Sequence, residues 1–178
     1  MPGQRAVFLD RDGVINRAFV RDGKPYPPAS VDELIIAPDA SAALQSLKQA
    51  GFLLLVVTNQ PDISRGTRER AAVETIHQAL RHALPVDDFF LCPHDDSDRC
   101  DCRKPRPGLL LRGAEKHHVD LTRSFMVGDR WRDIEAGAAA GCATVWIDYG
   151  YRERTSSVQP STTVKSLRAA VDWILEQP

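Results

Sequence analysis

The sequence lacks two features that mark large classes of proteins: a strong net charge and a long hydrophobic run. Its 178 residues carry 23 basic and 24 acidic side chains, which gives a formal net charge of -1. A chain so close to neutral is a poor candidate for binding nucleic acid by neutralising phosphates. The longest apolar run, 52–57, is far shorter than the roughly 20 residues that cross a bilayer. We therefore expect no nucleic-acid partner and no membrane partner.

An apolar leader is also missing. The first residues, MPGQRAVFLDRDG, hold no apolar core ahead of the acidic positions, which argues against a signal peptide. The length suits one domain over 1–178, and a chain of this size removes roughly 70% of its unfolded surface from water. No internal repeat or low-complexity segment is present. We expect a cytoplasmic monomer.

The cysteines are few but crowded, because three of the four lie in the stretch CPHDDSDRCDC at 92–102. Cytosolic thiols are normally reduced, so disulfides are not expected. The pattern C-x-H-x5-C-x-C instead predicts a structural zinc site formed by Cys92, His94, Cys100 and Cys102, since a closed zinc site takes four such ligands. The alternative is three loop thiols beside an exposed histidine. Cys142 stands apart and is expected to be a small buried apolar residue.

Strand-like and helix-like segments alternate along the chain. Strands are predicted at 5–10, 52–58, 88–92, 124–128 and 143–148, with helices at 38–49, 67–84, 107–118 and 131–140. An apolar stripe from Val164 to Ile174 predicts a final helix capped by Thr162 or Thr163, after an irregular loop at 149–161. This alternation predicts an α/β fold with a doubly wound, mostly parallel sheet, which binds ligands beyond the carboxyl ends of its strands.

Polar side chains collect at those predicted strand ends. Taken singly, each has an ordinary explanation, such as a turn cap or a solvated cation. Together they form the set that metal-dependent phosphoryl transfer requires: carboxylates, a hydroxyl, an amide and a cation. The side chains in question are Asp10, Asp12, Thr58, Asn59, Gln60, Arg103, Lys104, Asp129 and Asp133.

The motifs resemble a known family. They are FLDRDGVIN at 8–16, VVTNQ at 56–60, CPH at 92–94, CDCRKPRPG at 100–108 and MVGDRWRDIEAG at 126–137. In this order they resemble the haloacid-dehalogenase (HAD) superfamily of phosphatases, and more narrowly the bacterial heptose bisphosphate and histidinol-phosphatase group. The resemblance implies a HAD-like core without a large cap domain and with a zinc-binding loop at 92–104.

The resemblance also implies a role for each site residue. Asp10 would be the nucleophile and Asp12 the general acid and base. Magnesium would be bound by Asp10, Asp129 and the main-chain carbonyl of Asp12. Asp133 would support the metal or orient Lys104, and Arg130 would be a solvated cation. The implied substrate contacts are Asn16, Thr58, Asn59, Gln60, Arg103 and Lys104.

The activity implied is hydrolysis of the 7-phosphate of D-glycero-D-manno-heptose 1,7-bisphosphate, in the biosynthesis of nucleotide-activated heptose for lipopolysaccharide. The partner would be a small phosphorylated sugar. Two alternatives stay open: a phosphatase for histidinol phosphate or another small phosphomonoester, and a receiver-like signalling module that accepts a phosphoryl group. A relative that removes 3'-phosphates from DNA is disfavoured by the neutral charge.

Two departures from the family pattern bear on specificity. Five residues separate His94 from Cys100, which makes the zinc loop short. Pro61 and Asp62 follow Gln60, where the family usually has Ser-Gly. We expect the second change to stiffen the turn and to place an acidic group near an anionic substrate.

Overall fold

A computed structural model describes residues 3–178, and its centre is a sheet of six parallel strands. A separate antiparallel pair of short strands follows the first strand of the sheet. The strands are β1 (Ala6–Leu9), β2 (Phe19–Arg21), β3 (Lys24–Tyr26), β4 (Leu53–Asn59), β5 (Asp88–Cys92), β6 (Phe125–Gly128), β7 (Ala143–Ile147) and β8 (Thr162–Val164).

The strand order in the large sheet is β5-β4-β1-β6-β7-β8, so the chain runs outward from β1 in one direction and then in the other. Phe8 on β1 pairs with Leu55 on β4 and with Met126 on β6. A doubly wound sheet binds its ligand where the strand order reverses, at the carboxyl ends of the strands. That point lies between β1 and β6, whose next residues are Asp10 and Asp129.

Five helices cover both faces of the sheet. They are α1 (Ala40–Gln49), α2 (Arg70–Ala83), α3 (Gly108–His117), α4 (Trp131–Ala140) and α5 (Leu167–Leu175). Side chains of α1, α2 and α5 pack with Val7 and Leu9 of β1, whereas α3 and α4 pack with Phe8 on the opposite face. This alternation of β1 side chains is expected for a strand buried on both sides. Within residues 3–178, no helix has the length and apolar character that crossing a bilayer requires.

The predicted α/β class is confirmed, but the predicted start of the final helix is wrong, and the helix predicted at 67–84 spans only Arg70–Ala83. Thr162 and Thr163 do not cap the final helix, because they form β8, which pairs in parallel with β7. The cap of α5 is Ser166, whose hydroxyl accepts the backbone N–H of Ala169 at 3.1 Å. Threonine is β-branched and suits an edge strand as well as a cap, so local sequence does not separate the two roles.

The hairpin of β2 and β3 was not predicted. Its turn is Asp22-Gly23, and both residues have positive φ angles, 52° and 76°. Asp-Gly with two positive φ values is the usual sequence of a tight two-residue hairpin turn. The signal was therefore present in the sequence, but strands of three residues are too short to show alternation.

Close packing between α4 and the sheet depends on Gly137. A Cβ at this position would lie 2.6 Å from the Cβ of Met126 and 2.8 Å from Cγ2 of Thr144. Gly137→Val is therefore expected to lower the free energy of unfolding by about 2–3 kcal/mol, since overpacking forces side chains or backbone to shift. Urea unfolding measures the effect. Ala139→Val, at an exposed position on the same helix, is the control, and an equal loss in both variants would contradict this explanation.

Candidate active site

The carboxyl ends of β1, β4 and β6 bring the predicted acidic and basic side chains together. Oxygens of Asp10, Asp129 and Asp133 lie within 4.8 Å of one another, and all three residues are buried. Asp10 and Asp129 follow adjacent strands, and Asp133 lies in the first turn of α4. Gly13, with φ of +92°, passes so close to Asp129 that a Cβ there would overlap its carboxylate.

Lys104 lies at the centre of this cluster and is 2% exposed. Its Nζ donates to Asp10 at 2.8 Å, to Asp133 at 2.6 Å and to the carbonyl of Val57 at 2.8 Å. Burial favours the neutral amine, but the charges of Asp10 and Asp133 outweigh it and raise the pKa of Lys104 above its usual value. The lysine is therefore a permanent cation whose position is set by two carboxylates.

The three carboxylates outnumber the single lysine, and the pKa values of Asp10 and Asp129 reflect the excess of negative charge. Burial, followed by the charge of Asp133, raises the pKa of Asp10 to about 6. Burial and the charge of Asp10 raise the pKa of Asp129 well above its usual value. Oδ1 of Asp129 is buried and has no hydrogen-bond partner within residues 3–178. An unpartnered oxygen among clustered carboxylates fits a hard divalent cation such as magnesium.

Asp12 lies in a different environment from the three clustered carboxylates. Arg11 donates through Nε and Nη2 to both of its oxygens, at 3.1 and 3.0 Å, and Asn16 and Gln60 add one bond each, at 3.0 and 2.9 Å. Burial works against the charged form of Asp12, but Arg11 and these hydrogen bonds hold its pKa below the usual value. Asp12 is therefore ionised and firmly oriented.

Two further residues of the site, Arg11 and His77, were not predicted from the sequence. Arg11 is fully buried, and its Nη1 lies 3.2 Å from Nε2 of His77. Burial and the neighbouring Arg11 lower the pKa of His77 to about 3, so the ring is neutral and accepts this hydrogen bond. The position of Arg11 between Asp10 and Asp12 could have indicated a role in the site. Its contact with His77 on α2 could not be predicted, because no local sequence pattern links the two residues.

The predicted substrate contacts at the ends of β1 and β4 bond mainly to protein groups. Asn59 holds the backbone of Lys104 in both directions, donating to its carbonyl and accepting its N–H at 3.1 Å each. Thr58 accepts from the side chain of Gln60 at 3.0 Å. Thr58, Gln60 and Asn16 are each about 1% exposed. The structure thus brings these residues to the site, with Asn59 alone of the four lining the cleft.

A cleft of about 340 Å³ opens above the cluster. Its floor contains Asp10, Asp12 and Lys104, and the β2–β3 hairpin supplies one wall through Lys24 to Pro27. The cleft is also lined by basic and acidic side chains: Asp62, Arg65, Asp96, Arg103, Arg130, Arg132 and Glu153. The volume suits a small metabolite.

The arginines that line the cleft are paired. Arg103 donates to Asp96 at 2.8 Å, and Arg132 also lies 3.3 Å from the same carboxylate. Arg130, expected to be a solvated cation, instead forms an ion pair with Glu153. Roles for Arg132, Asp96 and Glu153 were not predictable from the sequence, because their partners are distant in the chain.

The four predicted zinc ligands also converge. The Sγ atom of Cys92 lies 3.7 Å from Nδ1 of His94, 3.7 Å from Sγ of Cys100 and 3.0 Å from Sγ of Cys102. Tetrahedral zinc with Zn–S bonds of about 2.3 Å separates its sulfurs by roughly 3.7 Å. All four cysteines are free thiols, and the donor set fits zinc. Cys142 is buried apart from them, as expected.

This cysteine and histidine cluster is connected directly to the cleft. The backbone N–H of Arg103 donates to Sγ of Cys100 at 3.3 Å, and Lys104 is the next residue. The loop between His94 and Cys100 is also held by the turn that follows β4. Arg65 donates to Asp95 at 2.6 Å, and Ser64 donates to Asp98 at 2.6 Å. A metal bound here would therefore hold the chain that carries Lys104.

The excess of buried negative charge leads to a stability prediction. Asp129→Asn is expected to stabilise the metal-free protein at pH 8 by about 1–3 kcal/mol, because it removes an unpaired buried charge. Since the pKa of Asp129 is raised on folding, its ionisation costs stability increasingly as the pH rises above the ordinary carboxyl value. The gain should therefore shrink as the pH falls toward that value.

Urea unfolding in EDTA at pH 8 and pH 5 measures this gain. Asp148→Asn, at a half-exposed aspartate that follows β7, is the matched control and should change little. An Asp129→Asn variant that is no more stable than the parent at pH 8 would show that the carboxylate is not under strain from its neighbours.

The site and the fold both have known counterparts. A family model described as "HAD-hyrolase-like" matches residues 101–170. The chain is 38% identical over 159 residues to the D-glycero-beta-D-manno-heptose-1,7-bisphosphate 7-phosphatase of Bordetella bronchiseptica, covering 85% of this chain and 84% of that protein. The protein of the same name from Pseudomonas aeruginosa is 40% identical over 154 residues, with 84% of each chain covered.

Solved structures of heptose bisphosphate phosphatases have a similar fold. The D,D-heptose 1,7-bisphosphate phosphatase of B. bronchiseptica, in complex with magnesium and phosphate, superposes with a TM-score of 0.78 at 33% identity, covering 97% of this chain and 98% of that one. The enzyme from Burkholderia thailandensis gives 0.70 at 26% identity, covering 98% and 100%. On this similarity of sequence and fold, the chain belongs to the heptose bisphosphate phosphatase family of HAD-like hydrolases and is a phosphoric monoester hydrolase.

Proposed function

We propose that the chain is a magnesium-dependent phosphatase that removes the 7-phosphate of D-glycero-D-manno-heptose 1,7-bisphosphate, in the biosynthesis of nucleotide-activated heptose for lipopolysaccharide. The observation behind this proposal is the buried cluster of Asp10, Asp129 and Asp133 around Lys104 at the floor of the cleft. The names of the relatives supply the substrate.

Magnesium would be held by Asp10, by the free Oδ1 of Asp129 and by the main-chain carbonyl of Asp12, because hard oxygen ligands suit this ion. Asp133 contacts Lys104 directly, so its role is to orient the lysine. When bound, the ion offsets the repulsion between a carboxylate and a phosphate dianion. The relative from B. bronchiseptica was solved with magnesium and phosphate, which supports this choice of metal.

Asp10 is the proposed nucleophile. An oxygen of its carboxylate forms a bond to phosphorus while the bond from phosphorus to the sugar oxygen breaks, leaving an aspartyl-phosphate. Lys104 donates to Asp10 and offsets negative charge on the transferred group. Water then attacks the phosphorus and releases inorganic phosphate, which restores Asp10.

Asp12 is the proposed general acid and base. It gives a proton to the leaving sugar oxygen and then takes one from the attacking water. The bonds from Arg11 favour its ionised form, whereas a bound phosphate dianion favours the protonated form because like charges repel. Asp12 thus becomes a proton donor when substrate is present, on a side chain whose orientation is already fixed.

Substrate recognition falls to the remaining polar groups. Arg103 is proposed to bind the second phosphate, since a guanidinium matches two phosphate oxygens. Asn59 faces the cleft while holding the backbone of Lys104. The proposed contacts of Asn16, Thr58 and Gln60 require their amides or hydroxyl to exchange a protein partner for a phosphate oxygen.

The activity test is release of inorganic phosphate from a panel of substrates with and without magnesium. Asp10→Asn is expected to lower kcat by at least about 10³-fold, because an amide cannot form the acyl phosphate. Asp148→Asn, the aspartate after β7, should keep normal turnover. Turnover that survives in Asp10→Asn would exclude the covalent mechanism.

The same panel separates the alternatives. Heptose 1,7-bisphosphate should have a higher kcat/KM than hexose bisphosphates, histidinol phosphate and nucleotides. A preference for histidinol phosphate would assign the chain to the other branch of the family. A stable phosphoprotein without phosphate release would favour the receiver-like function.

A structural zinc is proposed for Cys92, His94, Cys100 and Cys102, with no part in the chemistry. Cys100→Ser is expected to lose the zinc and to lower kcat/KM by about 10- to 100-fold, since the segment that carries Lys104 is then free to shift. Metal analysis and steady-state kinetics measure both effects. Cys142→Ala, remote from the cluster, should retain its zinc. Loss of zinc with normal turnover and substrate affinity would exclude the positioning role.

A further inference from the structure

The segment that follows β7 bonds to four different parts of the molecule around the active site. The backbone N–H of Arg152 donates to the carbonyl of Gly23 in the β2–β3 turn at 2.8 Å. Glu153 pairs with Arg130, which precedes α4. The remaining contacts are those of Tyr151 with Asp129 and of Arg154 with Glu135 and with the ring of Trp131. The segment 151–154 is therefore fixed at each successive residue.

The hydroxyl of Tyr151 reaches the metal-binding carboxylate itself. It donates to Oδ2 of Asp129 at 2.9 Å. A Cβ at position 13 would lie 1.9 Å from the same Oδ2, so glycine at this position is what leaves space for the carboxylate. The other oxygen, Oδ1, is buried and has no hydrogen-bond partner within the described chain. The two oxygens thus have distinct surroundings, one bonded and one free.

We propose that Tyr151 is a positioning residue for magnesium, which acts by fixing Oδ2 of Asp129 so that Oδ1 is presented to the ion. This rests on the proposed function, because it presumes the metal at Asp10 and Asp129. A carboxylate ligand whose second oxygen is hydrogen-bonded loses less freedom on binding a metal, and such outer partners typically contribute 10- to 100-fold in metal affinity.

A purely structural role for Tyr151 makes a different prediction. The hydroxyl would then matter for stability and would leave magnesium affinity unchanged. Burial and the charge of Asp129 raise the pKa of Tyr151 above its usual value, so the hydroxyl keeps its proton and remains a donor. The test must therefore measure metal binding directly.

The experiment is a calorimetric titration with magnesium chloride, without substrate, of protein that has been freed of magnesium but not of zinc. Tyr151→Phe removes only the hydroxyl and is expected to weaken magnesium binding by about 10-fold. The concentration of magnesium that gives half-maximal activity should rise by the same factor, while kcat at saturating magnesium and KM for the substrate stay within about twofold. Tyr149→Phe is the matched control, because Tyr149 is half exposed and its ring lies 5.7 Å from that of Tyr151.

Two further variants make the outcome decisive. Tyr151→Leu removes the hydroxyl with different packing, so the inference still has a test if one variant folds poorly by circular dichroism. Asp129→Asn should abolish the binding seen by calorimetry. If it binds magnesium like the parent, the proposed metal site fails. If Asp129→Asn loses magnesium binding while Tyr151→Phe binds magnesium normally, only the proposed role of Tyr151 is wrong. An increase of KM alone in Tyr151→Phe would show that the hydroxyl contacts the substrate instead.

Discussion

The fold concentrates more negative charge at one point than it can neutralise by itself. Three buried aspartates, Asp10, Asp129 and Asp133, meet where β1 and β6 end, and among residues 3–178 Lys104 is the one cation within hydrogen-bonding distance of two of them. Isolated ionised groups are costly to bury, so such a cluster persists only when the remaining structure holds it in place. Such a local loss of stability is typical of functional sites, where a bound ligand can offset the unfavourable charge.

Much of the surrounding structure serves to hold Lys104. Asn59 at the end of β4 bonds to its backbone on both sides, and the carbonyl of Val57 accepts from its Nζ. The cysteine and histidine cluster fixes the residue before it through the thiol of Cys100. A flexible lysine is thereby held with little freedom, which is what preorganised stabilisation of a transferred phosphoryl group requires.

The parts predictable from sequence were those with a local chemical signature. The strand ends at Asp10 and Asp129, and the cysteine cluster at 92–102, follow from short motifs because residue type and spacing are sufficient there. The partners of Arg11 and Arg130 were not predictable, since His77 and Glu153 lie on other elements and pair through the fold. The strand β8 was missed because it is only three residues long and is fixed by pairing with β7 rather than by its own sequence.

The altered turn after β4 shows why a local substitution is judged by its partners. Asp62 was expected to bring an acidic charge close to an anionic substrate. In the fold it lies 3.6 Å from Arg65 and 3.7 Å from Arg68, so its charge is offset within its own turn. Arg65 in addition bonds to Asp95 of the short zinc loop. Arg65 thus connects the turn that contains Asp62 to the short zinc loop. The two departures from the family pattern therefore lie next to each other on one side of the cleft.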